Sequence, residues 1–487
     1  MTLLMLAILL PLVGGVVMPL FHFQKERTRS WYVEAVVIAT SVLCWVTLFQ
    51  RPEGTFTLMY MTDHLSLSFR LDQMSMVFVG LVSFLWPLAS LYGFEYMRHE
   101  ERPNTFFTFY TMTYGITLAV AMAGNLFTLY VFYECLTLIT LPLVTHKQDP
   151  QSIRAGRKYL IYSISGAALA FIAMIFIIHY GSTTDFVLGG VLDPAKTSGH
   201  EAILRFVFLL AFIGFGTKAA LFPMYAWLPA ASVAPTPVTA LLHAVAVVNA
   251  GFAVLRVIYY SFGTNFLYGS TAQIIAVCLS CFTILFGSTM AVKEQHFKRR
   301  LAYSTVSNLS YMLMGAALMT PAGMVGSLSH LVFHGLMKIT LFYCAGAVLV
   351  KTGREYVQDL RGFGKIMPFT FTVFTVGAVG IPPLCGFVSK WNLLTAAAAT
   401  GSWWGVMAIV TLIISAILTA IYLFTVVAYA WFRPLNSDAA SLSGKNCDPS
   451  WQMKLPLAVL SVVVVLFGIF STPFVEWLRS LAAGLML

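Results

Sequence analysis

What most constrains this chain is the repetition of one length. Apolar runs of roughly 20 residues recur from end to end, each able to cross a bilayer as a helix. In lipid the backbone must satisfy its own hydrogen bonds, so such runs are expected to be helical. We read 14 of them, centred near Leu10, Ile38, Leu81, Thr117, Leu136, Leu169, Ala211, Val248, Ile284, Leu313, Gly335, Val379, Ile414 and Val464. The expected fold is an all-α polytopic membrane protein. Composition agrees, with 59% hydrophobic and 10% charged residues. A soluble globular domain is excluded.

The formal net charge of +10 would suit a nucleic-acid partner. The placement of the cations argues for topology instead and excludes nucleic acid. Of the 29 lysines and arginines, 20 fall after odd-numbered runs, among them Arg29, Arg98, Lys298, Arg300, Lys351 and Lys445. The alternate loops hold few, such as Arg51, Arg70 and Lys196. The positive-inside bias then places both termini on the outer side. Residues 1–21 lack a basic region before the apolar run and are expected as a retained first helix. Arg256 is expected to snorkel to the outer interface. Glu34 and Glu476 fall near helix ends. Seven scattered cysteines, of which only Cys278 and Cys281 have CxxC spacing, read as small buried hydrophobes.

Two interrupted runs stand out. Residues 214–243 carry Lys218 inside an apolar segment broken by Pro223, Pro229, Pro235 and Pro237 before His243. Residues 380–391, GIPPLCGFVSKW, carry Lys390 after Pro382 and Pro383. A lysine is costly in hydrocarbon and belongs on a bundle interior or hydrated path. Freed carbonyls at membrane depth are tolerated only where they are buried in protein or line a cavity. Paired broken helices in two halves point to inverted repeats, here helices 4–8 and 9–13, with breaks in helices 7 and 12.

Three constellations suit proton handling. Glu134, central in LYVFYECLTLITLPLV, is the natural counter-ion for Lys218. Buried alone, a carboxylate takes up a proton and a lysine sheds one; together each keeps the other charged. A static ion pair would use the same residues. His330, His334 and Lys338 recur at spacings of four, hence on one helical face. Histidine titrates near neutral pH, so the stripe can pass protons or hold the waters that do. His243 could join Lys218 to the second half, or be a packed histidine. Tyr303, Ser304, Thr305 and Ser307 could bind relay waters or serve helix packing. No HExxH, phosphate loop or Rossmann fingerprint is present, and the lone Cys278–Cys281 spacing has no second CxxC to complete a cluster. No metal, cofactor or catalytic centre is expected.

The strings LFPMYAWLPAASVAPTPVTALLHA, FKRRLAYSTVSNLSYMLMG, SHLVFHGLMKITLFYCAGAV and GIPPLCGFVSKWNLL resemble the antiporter-like proton-conducting subunits of respiratory complex I. Mrp-type sodium/proton antiporters and energy-converting membrane hydrogenases share that family. The resemblance implies 14 helices, two inverted five-helix repeats and a polar axis along the membrane midplane. By motif, Glu134 matches the fifth-helix glutamate, Lys218 the seventh-helix lysine and His243 the eighth-helix histidine. His330, His334 and Lys338 match the connecting residues of the eleventh helix, and Lys390 the exit residue of the twelfth. Asn249 stands where several relatives carry a lysine. TLITLPLVT, residues 137–145, leans towards the Mrp-like or hydrogenase-linked branches. The long lateral helix of the largest complex I relative is not expected.

The expected organisation is residues 1–104 for helices 1–3, 105–265 for the first repeat, 266–435 for the second, and 436–487 for a loop and the last helix. The expected function is a proton-translocating membrane subunit of a redox-driven ion pump, assembled with other membrane subunits in a prokaryotic inner membrane. Whether sodium moves as well is left open. An Mrp-type sodium/proton antiporter subunit without a redox partner, or a passive scaffold, are the alternatives.

Overall fold

The computed structural model describes residues 2–21, 23–62, 65–378, 380–435 and 446–485. Val379, the expected centre of run 12, Lys445 and residues 436–445 of the expected C-terminal unit lie outside them. The longer helices are α1 Thr2–Val17, α2 Glu26–Gln50, α3 Gln73–Tyr96, α4 Pro103–Ala121, α5 Leu126–Val144, α6 Pro150–Tyr180 and α7 Glu201–Gly216. The helical rod α8 spans Thr236–Phe262. It is followed by α9 Thr271–Lys293, α10 Phe297–Ala317, α11 Pro321–Thr352, α12 Pro368–Ala378 and α13 Cys385–Ala399. The last are α14 Trp403–Phe432, α15 Trp451–Ile469 and α16 Thr472–Ala482.

Among the described residues, 10 helices are long and apolar enough to cross a membrane. The other four expected runs are helical but fall short for different reasons. Threonines dilute α4, cations open α10, α7 stops early at a break in the helix, and α12 is described only as far as Ala378. In α8 and α11, 94% of the apolar window is buried, against 28% in α15. These two rods are therefore the centre of the bundle. Each carries expected site residues.

The chain is not purely helical. Strands β1 Phe56–Thr62 and β2 Leu65–Phe69 form an antiparallel hairpin between α2 and α3. Alternation of threonine, serine and large apolar residues suits a half-buried strand better than a helix. The hairpin is tied to α5: Asn125, which caps that helix, donates to Ser66 O and Ser68 Oγ, each at 2.9 Å. Its Oδ1 accepts from Thr128 N at 2.8 Å. That cap sets the start of the helix bearing Glu134.

Small residues bring α6 and α7 together. A Cβ on Gly214 would lie 2.8 Å from Gly166 O and 2.7 Å from Ala170 N. Close backbone approach through glycine replaces the hydrophobic drive that helices lack in lipid. Four expected surface cations are instead buried: Arg29, Arg256, Lys298 and Arg300 are 6%, 0%, 7% and 2% exposed. Arg256 does not snorkel. It forms a fork to Asp72 at 2.6 and 2.7 Å, with Ser75 Oγ at 2.9 Å. Three aromatic rings, of Phe186, Phe252 and Tyr260, surround its guanidinium. A nearby carboxylate held at the α3 N-cap makes burial cheaper than reaching water.

Candidate functional site

α7 ends at Gly216, and the next ten residues are irregular before the short helix Trp227–Ala230. Lys218 sits at the start of this break. Among the described residues, its hydrogen-bond, charge and ring partners lie on α5. Nζ donates to the Tyr133 carbonyl, stands 3.2 Å from Glu134 Oε1, and lies 3.5 Å from the Tyr133 ring centre. The Tyr133 hydroxyl donates back to Phe215 O at 2.7 Å, and Trp227 Nε1 donates to Thr217 O at 2.9 Å. Carbonyls freed by the break thus find side-chain donors, as burial demands. The side chains are 5% exposed at Lys218 and 24% at Glu134, so Glu134 is the member facing the outside of the bundle.

The second group of expected residues assembles around α11. His330 and His334 lie 5.7 Å apart, ring to ring. His330 Nδ1 is 3.0 Å from Ser389 Oγ on α13, and its ring meets Tyr311 edge-on at 5.4 Å. Lys338 donates to Ser304 Oγ and, at 3.4 Å, to Leu301 O, both on α10. Lys390 Nζ lies 5.8 Å from the Tyr311 ring centre. His243 stacks on Phe342 at 4.4 Å, in a π-helical stretch of α8, Leu242–Ala246. π-Bulges of this kind recur at functional sites. Lys338 and Lys298 both act electrostatically on His243, and Lys390 acts on Lys338.

The expected residues therefore form two groups. One is Glu134 with Lys218. The other is His243, His330, His334, Lys338 and Lys390. Among the described residues, His243 makes no hydrogen bond to Lys218, and neither of its ring nitrogens has a partner. His330 Nε2, His334 Nε2 and both side-chain polar atoms of Asn249 are equally buried and unpartnered. Buried polar atoms without protein partners are where ordered water belongs.

Four contributors escaped the sequence reading. Lys298, expected in a loop, is in the first turn of α10, and its Nζ donates to Ala234 O at 2.9 Å. It holds the end of the first broken segment from the second half of the chain. Tyr311 and Ser415 bond at 2.7 Å, and Ser415 also meets Ser288 at 2.5 Å and Ser307 at 3.3 Å. This buried hydroxyl cluster joins α9, α10 and α14. The spacing of Ser304, Ser307 and Tyr311 at three and four along α10 was the available signal for it. Among the described residues, no group of three or more His, Cys, Asp or Glu could hold a metal ion.

Residues 123–416 match the family described as NADH:quinone oxidoreductase/Mrp antiporter, TM. Residues 58–107 match the N-terminal family of complex I chain 5. NADH-quinone oxidoreductase subunit N of Desulforudis audaxviator is 30% identical over 420 residues, covering 83% of this chain and 82% of that protein. Na(+)/H(+) antiporter subunit A1 of Staphylococcus haemolyticus is 29% identical over 499 residues, 96% of this chain, which spans 61% of that longer protein. A chain of the archaeal membrane-bound sulfane sulfur reductase superimposes with TM-score 0.86 at 18% identity, over 100% of this chain and 98% of that one. A chain of the Mrp complex of Dietzia sp. does so with TM-score 0.85 at 21% identity, over 99% and 97%.

Proposed function

The chain belongs to the NADH:quinone oxidoreductase/Mrp antiporter membrane family, and on that premise we propose that it carries protons through the membrane as one subunit of a redox-driven pump. It is an antiporter-like integral membrane subunit of the kind found in complex I, Mrp and hydrogenase-type assemblies. The observation that carries the proposal is the Lys218–Glu134 contact at a helix break inside the bundle. A static ion pair needs no broken helix and no line of unpartnered polar atoms beyond it.

In this reading the protein has 14 membrane-spanning helices. Residues 105–265 and 266–435 form two inverted five-helix repeats, flanked by units 1–104 and 436–487. It lies in a prokaryotic inner membrane with both termini outside. Protons arrive at Glu134 and Lys218 from the side of the basic loops. They pass along His243, His330, His334 and Lys338 and leave near Lys390. Separated from Glu134, a buried ammonium has nothing to offset its lost hydration and gives up its proton. A charge change in a neighbouring subunit that moves the pair apart would drive that step.

The second reading is a sodium/proton antiporter subunit without a redox partner. The Staphylococcus relatives bear that name, and the Mrp chain shares the fold. The deciding experiment is purification of the intact assembly in mild detergent and identification of its subunits by mass spectrometry. Electron-transfer subunits support the first reading; antiporter subunits alone support the second. Proton transport unchanged in reconstituted Glu134→Gln and Lys218→Met assemblies would sink both.

A further inference from the structure

Helix α2 carries Glu26, Ser30 and Glu34 at spacings of four, so the three share one helical face. Glu34 is not at the helix end. It lies eight residues past Glu26, about 12 Å deeper at 1.5 Å per residue. All three line a cavity of about 580 Å³, together with Arg27 and Arg98 and with Gln452 from α15. The mouth is marked by the Arg98–Glu26 pair, 2.5 Å apart and 43% and 41% exposed. Arg98 also reaches Glu95 at 2.6 Å, so its charge is already committed. The floor is Glu34, whose Oε2 accepts from Ser90 Oγ on α3. Among the described residues, no ion pair includes Glu34.

The polar trail continues beyond Glu34. Tyr110 on α4 is 1% exposed. Its hydroxyl has no partner among the described residues. It lines a second, small cavity of about 20 Å³ with Trp86, Thr117 and Thr140. Trp86 Nε1 and Thr117 Oγ1 are also buried and unpartnered. That volume holds about one water, and three polar atoms are enough to fix it. Thr140 belongs to α5, six residues after Glu134.

We propose that Glu34 is a second proton-loading carboxyl, filled from the vestibule above it and emptied through the Tyr110 cavity towards the Glu134 helix. The loading step stands on the cavity and the carboxyl alone; the delivery step rests on the proton-conducting reading. A carboxylate inside a membrane bundle without a cation partner is costly as an anion and stable once it has bound a proton. A solvent-connected cavity supplies that proton. The charged and titratable groups facing Glu34 are Glu26 and Arg27 on its own helix, Arg98 beyond α3 and Tyr110 on α4. Trp451 and Gln452 of α15 add no charge to the cavity. Tyr110, being neutral, can both donate and accept, so it can pass a proton without storing it.

The test labels membranes containing the whole assembly with dicyclohexylcarbodiimide, which adds to protonated carboxyls in apolar surroundings. Peptide mass spectrometry should find the label on Glu34, declining as pH rises and absent in Glu34→Gln. In reconstituted vesicles Glu34→Gln should slow proton transport several-fold, and Glu34→Asp should restore part of it. Absence of label on wild-type Glu34 overturns the loading step, and full transport in Glu34→Gln overturns the delivery step. Suppression of the label by sodium at constant pH would assign the site to a metal cation instead and overturn the loading step equally. The wild-type labelling needs no variant to fold. If Glu134→Gln and Lys218→Met abolish transport while Glu34→Gln does not alter it, only the delivery step fails. If none of the three alters transport, the proton-conducting reading fails, and the label alone decides the loading step.

Discussion

Lys218 Nζ stands 3.2 Å from Glu134 Oε1 at a break between helices, its ammonium also bonded to the carbonyl of the residue before that glutamate. The lysine is thus held by one charge and one dipole from a single helix, and a small shift of α5 would loosen both. Lysine can release its proton from such a site; arginine cannot. Lys218→Arg is therefore expected to keep the ion pair and the assembly while proton transport falls on the order of 100-fold, the usual scale for loss of a positioned proton-transfer group. Lys218→Met should fall as far. Transport in Lys218→Arg near the wild-type rate would show that the lysine acts only as a fixed charge.

The position of Lys218 depends on a contact that involves no charge. Gly214 lies on the last turn of α7, four residues before the lysine, and its missing Cβ is what lets Gly166 and Ala170 of α6 approach. The atoms in the way are backbone, which cannot swing aside. Gly214→Ala should cost about 1–3 kcal/mol by overpacking and should reduce transport by displacing the Lys218 break. Gly80→Ala is the control, since its Cβ would find only Leu48 Cδ1 at 3.9 Å. Thermal denaturation of the two variants in detergent, beside their transport rates, checks both halves of the expectation.

Arg256 and Asp72 make the strongest test of what holds the centre of the bundle to the first helices. The fork between them is buried on the arginine side, and Asp72 also accepts from Ser75 N at 2.8 Å as the cap of α3. Asp72→Asn keeps a capping oxygen but leaves the guanidinium uncompensated, and should destabilise by about 3 kcal/mol. Arg256→Met leaves a carboxylate that is 20% exposed and still capping, so its cost should be smaller. The inequality, read from melting temperatures of the assembled protein, would fail if the pair were merely decorative.

How much of this was legible follows from what a sequence can encode locally. Helical runs, the two proline breaks and the His330–His334–Lys338 stripe depend on spacing within one segment, and spacing is visible. The Arg256–Asp72 fork joins residues 184 positions apart. The Lys298–Ala234 bond crosses 64. Nothing in the local composition distinguishes Lys298 from Arg299 beside it, yet one is buried on a carbonyl and the other pairs with Glu294 at 2.8 Å. The β-hairpin was missed because its strands are short and flank apolar runs that dominate the hydropathy signal. Glu34 was seen as a residue near a helix end; only the helix boundary at Glu26 reveals its depth.

A loop contact supplies a pH dependence with a definite sign. His146, in the turn after α5, is 6% exposed and lies edge-on to Phe106. Its Nε2 is 2.8 Å from Glu101 O, and Arg102 Nη2 donates to the His146 carbonyl at 2.9 Å. Burial pushes its pKa below the ordinary 6.5, outweighing the Glu101 carbonyl, which favours the charged ring. The unfolded loop therefore binds the proton more readily than the folded one, so stability rises with pH. The contribution is complete above about 6.5 and is lost as pH falls through the lower folded value. Acidification should loosen the clasp between the α3–α4 and α5–α6 loops, speeding amide hydrogen exchange there a few-fold beyond the intrinsic change. His146→Gln keeps a donor for Glu101 O but cannot titrate, and should abolish that acid sensitivity. Equal sensitivity in the variant would assign the effect to the Asp149 carboxylate in the same loops.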